Sequence, residues 1–157
     1  LQSAVRLRII LDRSGSFRFE ETTLPVITDE KMTVSIAPRM VASDDFRLQH
    51  KTSDRRFYDD ARIAAGTFEI LFTDEEGFLT EGSFTNLFVR DGERLLTPPL
   101  KRGLLPGVLR RHLIEAGRAI ERDLRPSDLQ APFFVGNSLR GLVPAILQQA
   151  DLIHEHQ

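Results

Sequence analysis

Residues 81–110 read EGSFTNLFVRDGERLLTPPLKRGLLPGVLR, and the punctuation of this stretch lays out its architecture. Phe84 to Arg90 and Arg94 to Thr97 are apolar-rich runs around Asp91-Gly92, a strong short-range signal for a β-hairpin. Pro98 to Gly107 is a loop broken by Pro and Gly. From about Pro106 to Gly117 the pattern is helical, and Pro106 suits the first turn, where a missing N–H costs nothing. Glu81 and Asn86 flank a Gly-Ser turn ahead of the first strand. The plain reading of that pair is a polar lip on a hairpin. The functional reading is that Glu81 points into a cleft, where a carboxylate can pair with a protonated ring nitrogen and keep it charged. The amides around Gly107, Val108 and Leu109 offer an anion site at the helix start; taken alone, such a site usually holds only water.

Upstream, Val5 to Leu11 alternates like a strand, Ser14-Gly15 is a turn, and Ser16 to Glu20 can pair back as a hairpin. Thr33 to Ala37 is a further short strand, and Pro38 to Arg47 reads as a linker, which places a domain boundary near Val41. Arg55 to Ala65 suits a helix stopped by Gly66, followed by a strand over Phe68 to Thr73 and a turn at Glu76-Gly77. Downstream come a strand over Ala119 to Leu124, a short helical turn capped by Ser127, and apolar stretches at Phe133 to Gly136 and Leu142 to Leu147. Helices and strands mix without a regular βαβ alternation, so the fold class is α+β.

With 157 residues, 41% of them hydrophobic, the chain can bury a real core of one domain or one and a piece. A net charge of −2 supplies no field to draw it to nucleic acid or to a membrane surface. No run approaches the roughly 18 apolar residues of a membrane span. The absence of cysteine excludes disulfides and thiolate chemistry, and a cytoplasmic location is the simplest expectation. The chain opens on Leu1 rather than Met, which suggests a piece of a longer parent.

Lysine is scarce, with only Lys31, Lys51 and Lys101 against eighteen arginines. Lys31 lies in a charged turn and Lys101 adjoins Arg102 in a loop, while Lys51 sits in His50-Lys51-Thr52-Ser53-Asp54-Arg55-Arg56. From spacing alone, a solvated basic cluster is the better reading of Lys51. Gly136-Asn137-Ser138, after a buried strand, is either an ordinary turn or a second backbone-rich anion site. His50, His112, His154 and His156 show no metal-ligand spacing, so no metal is expected, and neither a GxSxG nor a P-loop motif is present.

Taken together, these segments resemble the class IV aminotransferases, pyridoxal-phosphate enzymes of fold type IV. Glu81 through Asn86-Leu87-Phe88, Leu95-x-Thr97 and Leu105-x-Gly107-Val108-x-Arg110 fit the family pattern at its usual spacing. With Lys51 upstream and Gly136-Asn137-Ser138 downstream, the resemblance spans about residues 45 to 150. It implies a D-amino-acid aminotransferase-like fold, with residues 1–41 as the tail of an N-terminal α/β domain and 42–157 as the C-terminal cofactor-binding domain. His50-Lys51-Thr52, Phe57-Tyr58-Asp59, Thr97-Pro98-Pro99-Leu100 and the run from Gly136 to Leu142 look most like the aminodeoxychorismate lyase-type domain, often fused behind a p-aminobenzoate synthase subunit.

Residue by residue, the resemblance gives Lys51 the covalent attachment of pyridoxal 5'-phosphate and the catalytic amine, and Glu81 the pyridine nitrogen. Val108 and Leu109 take the phosphate through their amides, and Asn137 and Ser138 supply the second phosphate contact. Relatives often carry Thr where Leu109 stands, so one hydroxyl contact is missing here. Arg140, two residues beyond Ser138, is a candidate for binding an anionic substrate, about level with a surface salt bridge. The implied reaction converts 4-amino-4-deoxychorismate into p-aminobenzoate and pyruvate, in folate biosynthesis. The rival readings are a branched-chain or D-amino-acid transaminase and a non-catalytic domain appended to a synthase. The expected partners are a small-molecule substrate, a second copy in a homodimer and fused N-terminal domains, with no nucleic acid and no membrane.

Overall fold

The computed structural model describes residues 4–24 and 30–149. They fall into two compact units, divided between Glu30 and Lys31.

The first unit is a hairpin of β1 (Val5–Leu11) and β2 (Phe17–Thr23), antiparallel, with Leu11 opposite Phe17 and Ile9 opposite Phe19. The turn is closed by Asp12, whose carboxylate accepts from the Ser14 amide, and by Gly15 at φ 87°, a left-handed conformation that favours glycine. Because directly paired residues share a face, Val5, Leu7, Ile9, Leu11, Phe17 and Phe19 form one apolar side. Each of the six is more than half exposed.

The second unit is a mixed sheet of eight strands in the order β5-β4-β3-β10-β9-β6-β7-β8. These are β3 (Met32–Pro38), β4 (Glu69–Thr73), β5 (Leu79–Gly82), β6 (Asn86–Asp91), β7 (Arg94–Thr97), β8 (Ala119–Glu121), β9 (Phe133–Asn137) and β10 (Gly141–Leu147). Two helices, α1 (Arg56–Ala65) and α2 (Val108–Glu115), complete it. The fold is α+β with a curled mixed sheet. Period-two alternation sorts side chains between layers. Leu71 of β4, Leu79 of β5, Leu87 and Val89 of β6 and Val135 of β9 meet in one core, so strands from both ends of the order share it. The residues between them point the other way. Ile70 and Phe72 pack with Tyr58 of α1, and Phe88 and Leu95 pack with Leu113 of α2.

Most expected elements are present, with four differences. Strand β5 was not anticipated as a separate element. The turn at Pro126–Gln130 is not capped by Ser127: the Asp128 carboxylate accepts from the Arg125 amide (2.7 Å) and Pro126 opens the turn. Helix α2 starts at Val108 with Gly107 as its extended N-cap, so Pro106 stands just outside the first turn. β3, assigned from sequence to the tail of a preceding domain, pairs with β4 on one side and β10 on the other and so lies inside the sheet unit.

Candidate active site

Glu81 sits near the end of β5 and is only 5% exposed. Helix α1 brings Tyr58 to it. That helix ends on Gly66 in the left-handed conformation, whose amide closes on the Arg62 and Ile63 carbonyls. Its inner side presents Tyr58, Ala61 and Ala65 to Ile70 and Phe72. The Tyr58 hydroxyl donates to Glu81 Oε1 at 2.6 Å, and the Leu105 amide donates to Oε2 at 3.0 Å. Burial pushes the Glu81 carboxyl up to about 7; the Tyr58 and Leu105 hydrogen bonds and the Arg39 charge pull against that rise, and nearby Glu69 adds to it. Burial, together with the Glu81 charge, raises the Tyr58 phenol far above its ordinary value, so it stays a donor.

The turn after Glu81 is built around a second carboxylate. Glu69 of β4 is fully buried and collects five donors: the amides of Ile70, Ser83 and Phe84 and the hydroxyls of Ser83 and Thr85. Gly82 is needed here, because a Cβ would stand 2.5 Å from Glu69 Oε2.

Asn86, at the start of β6, braces the next loop. Its Nδ2 donates to the Leu105 carbonyl (3.1 Å), and any side chain on Gly107 would collide with its Oδ1. The Leu105 amide that reaches Glu81 is thus held from its carbonyl side by Asn86. Arg39 ties the same loop from below, donating to the Arg102 and Gly103 carbonyls. Arg110, buried on α2, donates to the Pro98 carbonyl and pairs with Glu121. At the helix start, the amides of Val108 and Leu109 have no acceptor among the described residues.

The β9–β10 turn carries Asn137, Ser138 and Arg140. The Asn137 Oδ1 accepts from the Leu139 and Arg140 amides, and its Nδ2 donates to the Phe84 carbonyl (3.0 Å). Most of its hydrogen-bonding capacity therefore holds the turn to the segment after Glu81. Ser138 is exposed. The Arg140 guanidinium lies over the Phe68 and Phe84 rings, 5.7 and 5.5 Å from their centroids.

Lys51 is exposed, in the coil between a 3-10 turn at Phe46–Leu48 and α1. A cavity of about 270 Å3 is lined by Gln49, His50, Leu100, Leu104 and Pro106. Its walls bring the chain neighbour of Lys51 together with the two residues that flank Leu105.

The sequence profile described as "Amino-transferase class IV" matches residues 2–146. The chain belongs to the class IV aminotransferase family. A solved structure from Mesorhizobium loti, a "putative amino-acid aminotransferase", is 38% identical with a TM-score of 0.85, over 92% of this chain and 73% of that one. The branched-chain aminotransferase of Thermoproteus uzoniensis shares the fold at 22% identity and a TM-score of 0.71, over 91% of this chain and 56% of that one. An aminodeoxychorismate lyase of Bacillus subtilis is 35% identical over 78 residues, which are 50% of this chain and 25% of the lyase. The chain thus matches about a quarter of the length of that relative.

The class IV family comprises pyridoxal-phosphate enzymes. Of the residues singled out in the sequence, Glu81, Val108 and Leu109 are joined by the Asn86–Leu105–Gly107 brace, and Asn137 is bonded to the segment that follows Glu81. Lys51 makes no hydrogen bond or ion pair with this group among the described residues; its chain neighbour His50 lines the cavity that Leu104 and Pro106 also line. Four contributors went unread: Glu69, Tyr58 as a partner of Glu81, the Leu105 amide and Arg39. A lone acid inside the apolar run Phe68-Glu69-Ile70-Leu71-Phe72 was the available signal for Glu69.

Proposed function

We propose that this chain is the cofactor-binding part of a pyridoxal-phosphate lyase that converts 4-amino-4-deoxychorismate into p-aminobenzoate and pyruvate. The observation that carries the reading is a buried carboxylate, Glu81, with one donor on each oxygen. A carboxylate oxygen has room for two, so an acceptor lone pair remains on each for a ring N–H. The other groups also suit the cofactor: an exposed lysine amine, and two free amides at the start of α2 for a phosphate. Lys51 would hold the cofactor covalently, with Val108, Leu109, Asn137 and Ser138 on its phosphate. When bound, the cofactor supplies an electron sink for the carbon that bears the substrate nitrogen.

The residues of the chain do the rest. The Lys51 amine, freed when the substrate nitrogen takes its place, would take the proton from that ring carbon. The neighbouring C–O bond breaks, the enol of pyruvate departs, and the ring becomes aromatic. Glu81 keeps the cofactor ring nitrogen protonated. Arg140 offers a cation to a substrate carboxylate. The segment that precedes the sheet would continue into an N-terminal domain of a longer, homodimeric protein, which would complete the phosphate site.

The similarity to the Bacillus subtilis lyase supports this substrate. The likeness to the Mesorhizobium loti structure supports a second reading, a transaminase that uses the same lysine and glutamate with a keto-acid acceptor. Incubating the full-length protein with aminodeoxychorismate and no acceptor separates them. Pyruvate release identifies the lyase, and turnover only after a keto acid is added identifies the transaminase. Borohydride reduction followed by peptide mapping should place the pyridoxyl label on Lys51; a label on Lys31 or Lys101 would overturn the assignment.

A further inference from the structure

We propose that Tyr58 is a positioning residue: its phenol fixes Glu81 in one orientation and favours its carboxylate form before the cofactor arrives. The proposal rests on the reading of Glu81 as the partner of the cofactor ring.

Tyr58 is 4% exposed, so neither member of the pair can trade the other for water. The 2.6 Å separation lies in the range of a hydroxyl donating to a charged oxygen. The ring cannot swing away. It packs against Phe57 at 4.2 Å and Phe72 at 5.2 Å between centroids, with the Arg55 guanidinium 5.5 Å from its own centroid. Arg55 is in turn anchored on the Ser83 carbonyl, in the turn that follows Glu81. The second oxygen of Glu81 is fixed by a backbone amide that no side-chain substitution removes. Tyr58 is therefore the adjustable half of the cradle.

The charged and titratable groups that act on Glu81 are Tyr58 from α1, Arg39 from the segment just after β3, and Glu69 from β4. Arg39 and Tyr58 favour its charged form, whereas Glu69 and burial oppose it. Without the phenol, burial is met by one amide and one distant cation. The carboxyl then takes up a proton, and a neutral acid can no longer hold a ring nitrogen in its protonated state.

The test reads Glu81 directly, in the full-length protein free of cofactor, by carbon-13 NMR of labelled glutamate carboxyls. Glu81→Gln assigns the resonance. In Tyr58→Phe the midpoint of Glu81 should rise by at least about one unit, a tenfold change in proton affinity. Site-specific 3-fluorotyrosine at position 58, a stronger donor with unchanged packing, should lower it. The fluorinated protein keeps the test open if Tyr58→Phe fails to fold. A Glu81 titration that moves in neither protein overturns the proposal. A pyridoxyl label found away from Lys51 would instead break the functional reading and leave the titration result standing.

Discussion

Two glutamates on neighbouring strands, Glu69 of β4 and Glu81 of β5, are both buried, yet the fold treats them differently. Glu69 is enclosed by five donors, three of them on one oxygen. Glu81 has two, one on each oxygen, and its carboxyl is pushed up to about 7. Burial alone therefore does not mark a group for chemistry. A saturated carboxylate organises the backbone around it, here the turn from Gly82 to Thr85. An under-satisfied carboxylate keeps capacity for something that is not part of the chain.

The largest effect should come from emptying the saturated site. Glu69→Ala leaves five buried donors without an acceptor, each worth on the order of 1–3 kcal/mol. That sum is of the same size as the roughly 5–15 kcal/mol by which domains are stable. The expected outcome is no cooperative unfolding transition in urea. A well-folded Glu69→Ala protein would show that the cage contributes little.

Next is the under-satisfied site. Glu81→Gln should fold and still bind cofactor, but turn over about 10²–10³-fold more slowly, roughly 3–4 kcal/mol in the barrier. Steady-state kinetics on the full-length protein decides it, and unchanged turnover would remove Glu81 from the mechanism.

The third effect is on stability against pH. Burial pushes the Glu81 carboxyl up to about 7 in the folded chain, from an ordinary value of 4.5. It is raised on folding, so its charged form opposes the fold. The penalty is absent below about 4.5, grows as pH rises, and is complete above about 7. The shift corresponds to roughly 3 kcal/mol. Urea midpoints should therefore fall between pH 4.5 and 7.5 in the native protein relative to Glu81→Gln. Parallel profiles would mean that Glu81 is charged throughout.

The smallest expected change is at Arg140, whose guanidinium rests on two aromatic rings and has no carboxylate partner among the described residues. Arg140→Ala should raise KM about tenfold, roughly 1.4 kcal/mol, with a smaller change in kcat. An unaltered KM would leave Arg140 a surface residue.

The two glutamates also show how far the sequence could be read. Glu81 was legible because it opens a recognisable spacing through Asn86, Thr97, Gly107 and Arg110. Glu69 was not, since four of its five donors lie on residues 83–85 and only the folded turn brings them back. β5 was missed for a related reason. Leu79–Gly82 is four residues long and half polar, and it is buried through distant partners such as Tyr58 and Leu105. Local punctuation served better. Gly66 ended α1 and Asp91-Gly92 joined β6 to β7, because those signals act over a few bonds. Ser127 misled because Asp128, one residue on, was the better-placed acceptor. Asn86 was noted as a polar flank, but its bracing of Leu105 and Gly107 depends on a loop some twenty residues away.

The pairing of Tyr58 with Glu81 gives the chain a built-in optical probe. There is no tryptophan, and Tyr58 is the only tyrosine. The tyrosine emission of these 157 residues arises from a single phenol, hydrogen-bonded to the carboxylate on which the proposed chemistry turns. Protonation of that carboxylate, or arrival of a ligand against it, should be visible as a change in colour or brightness of the unlabelled chain.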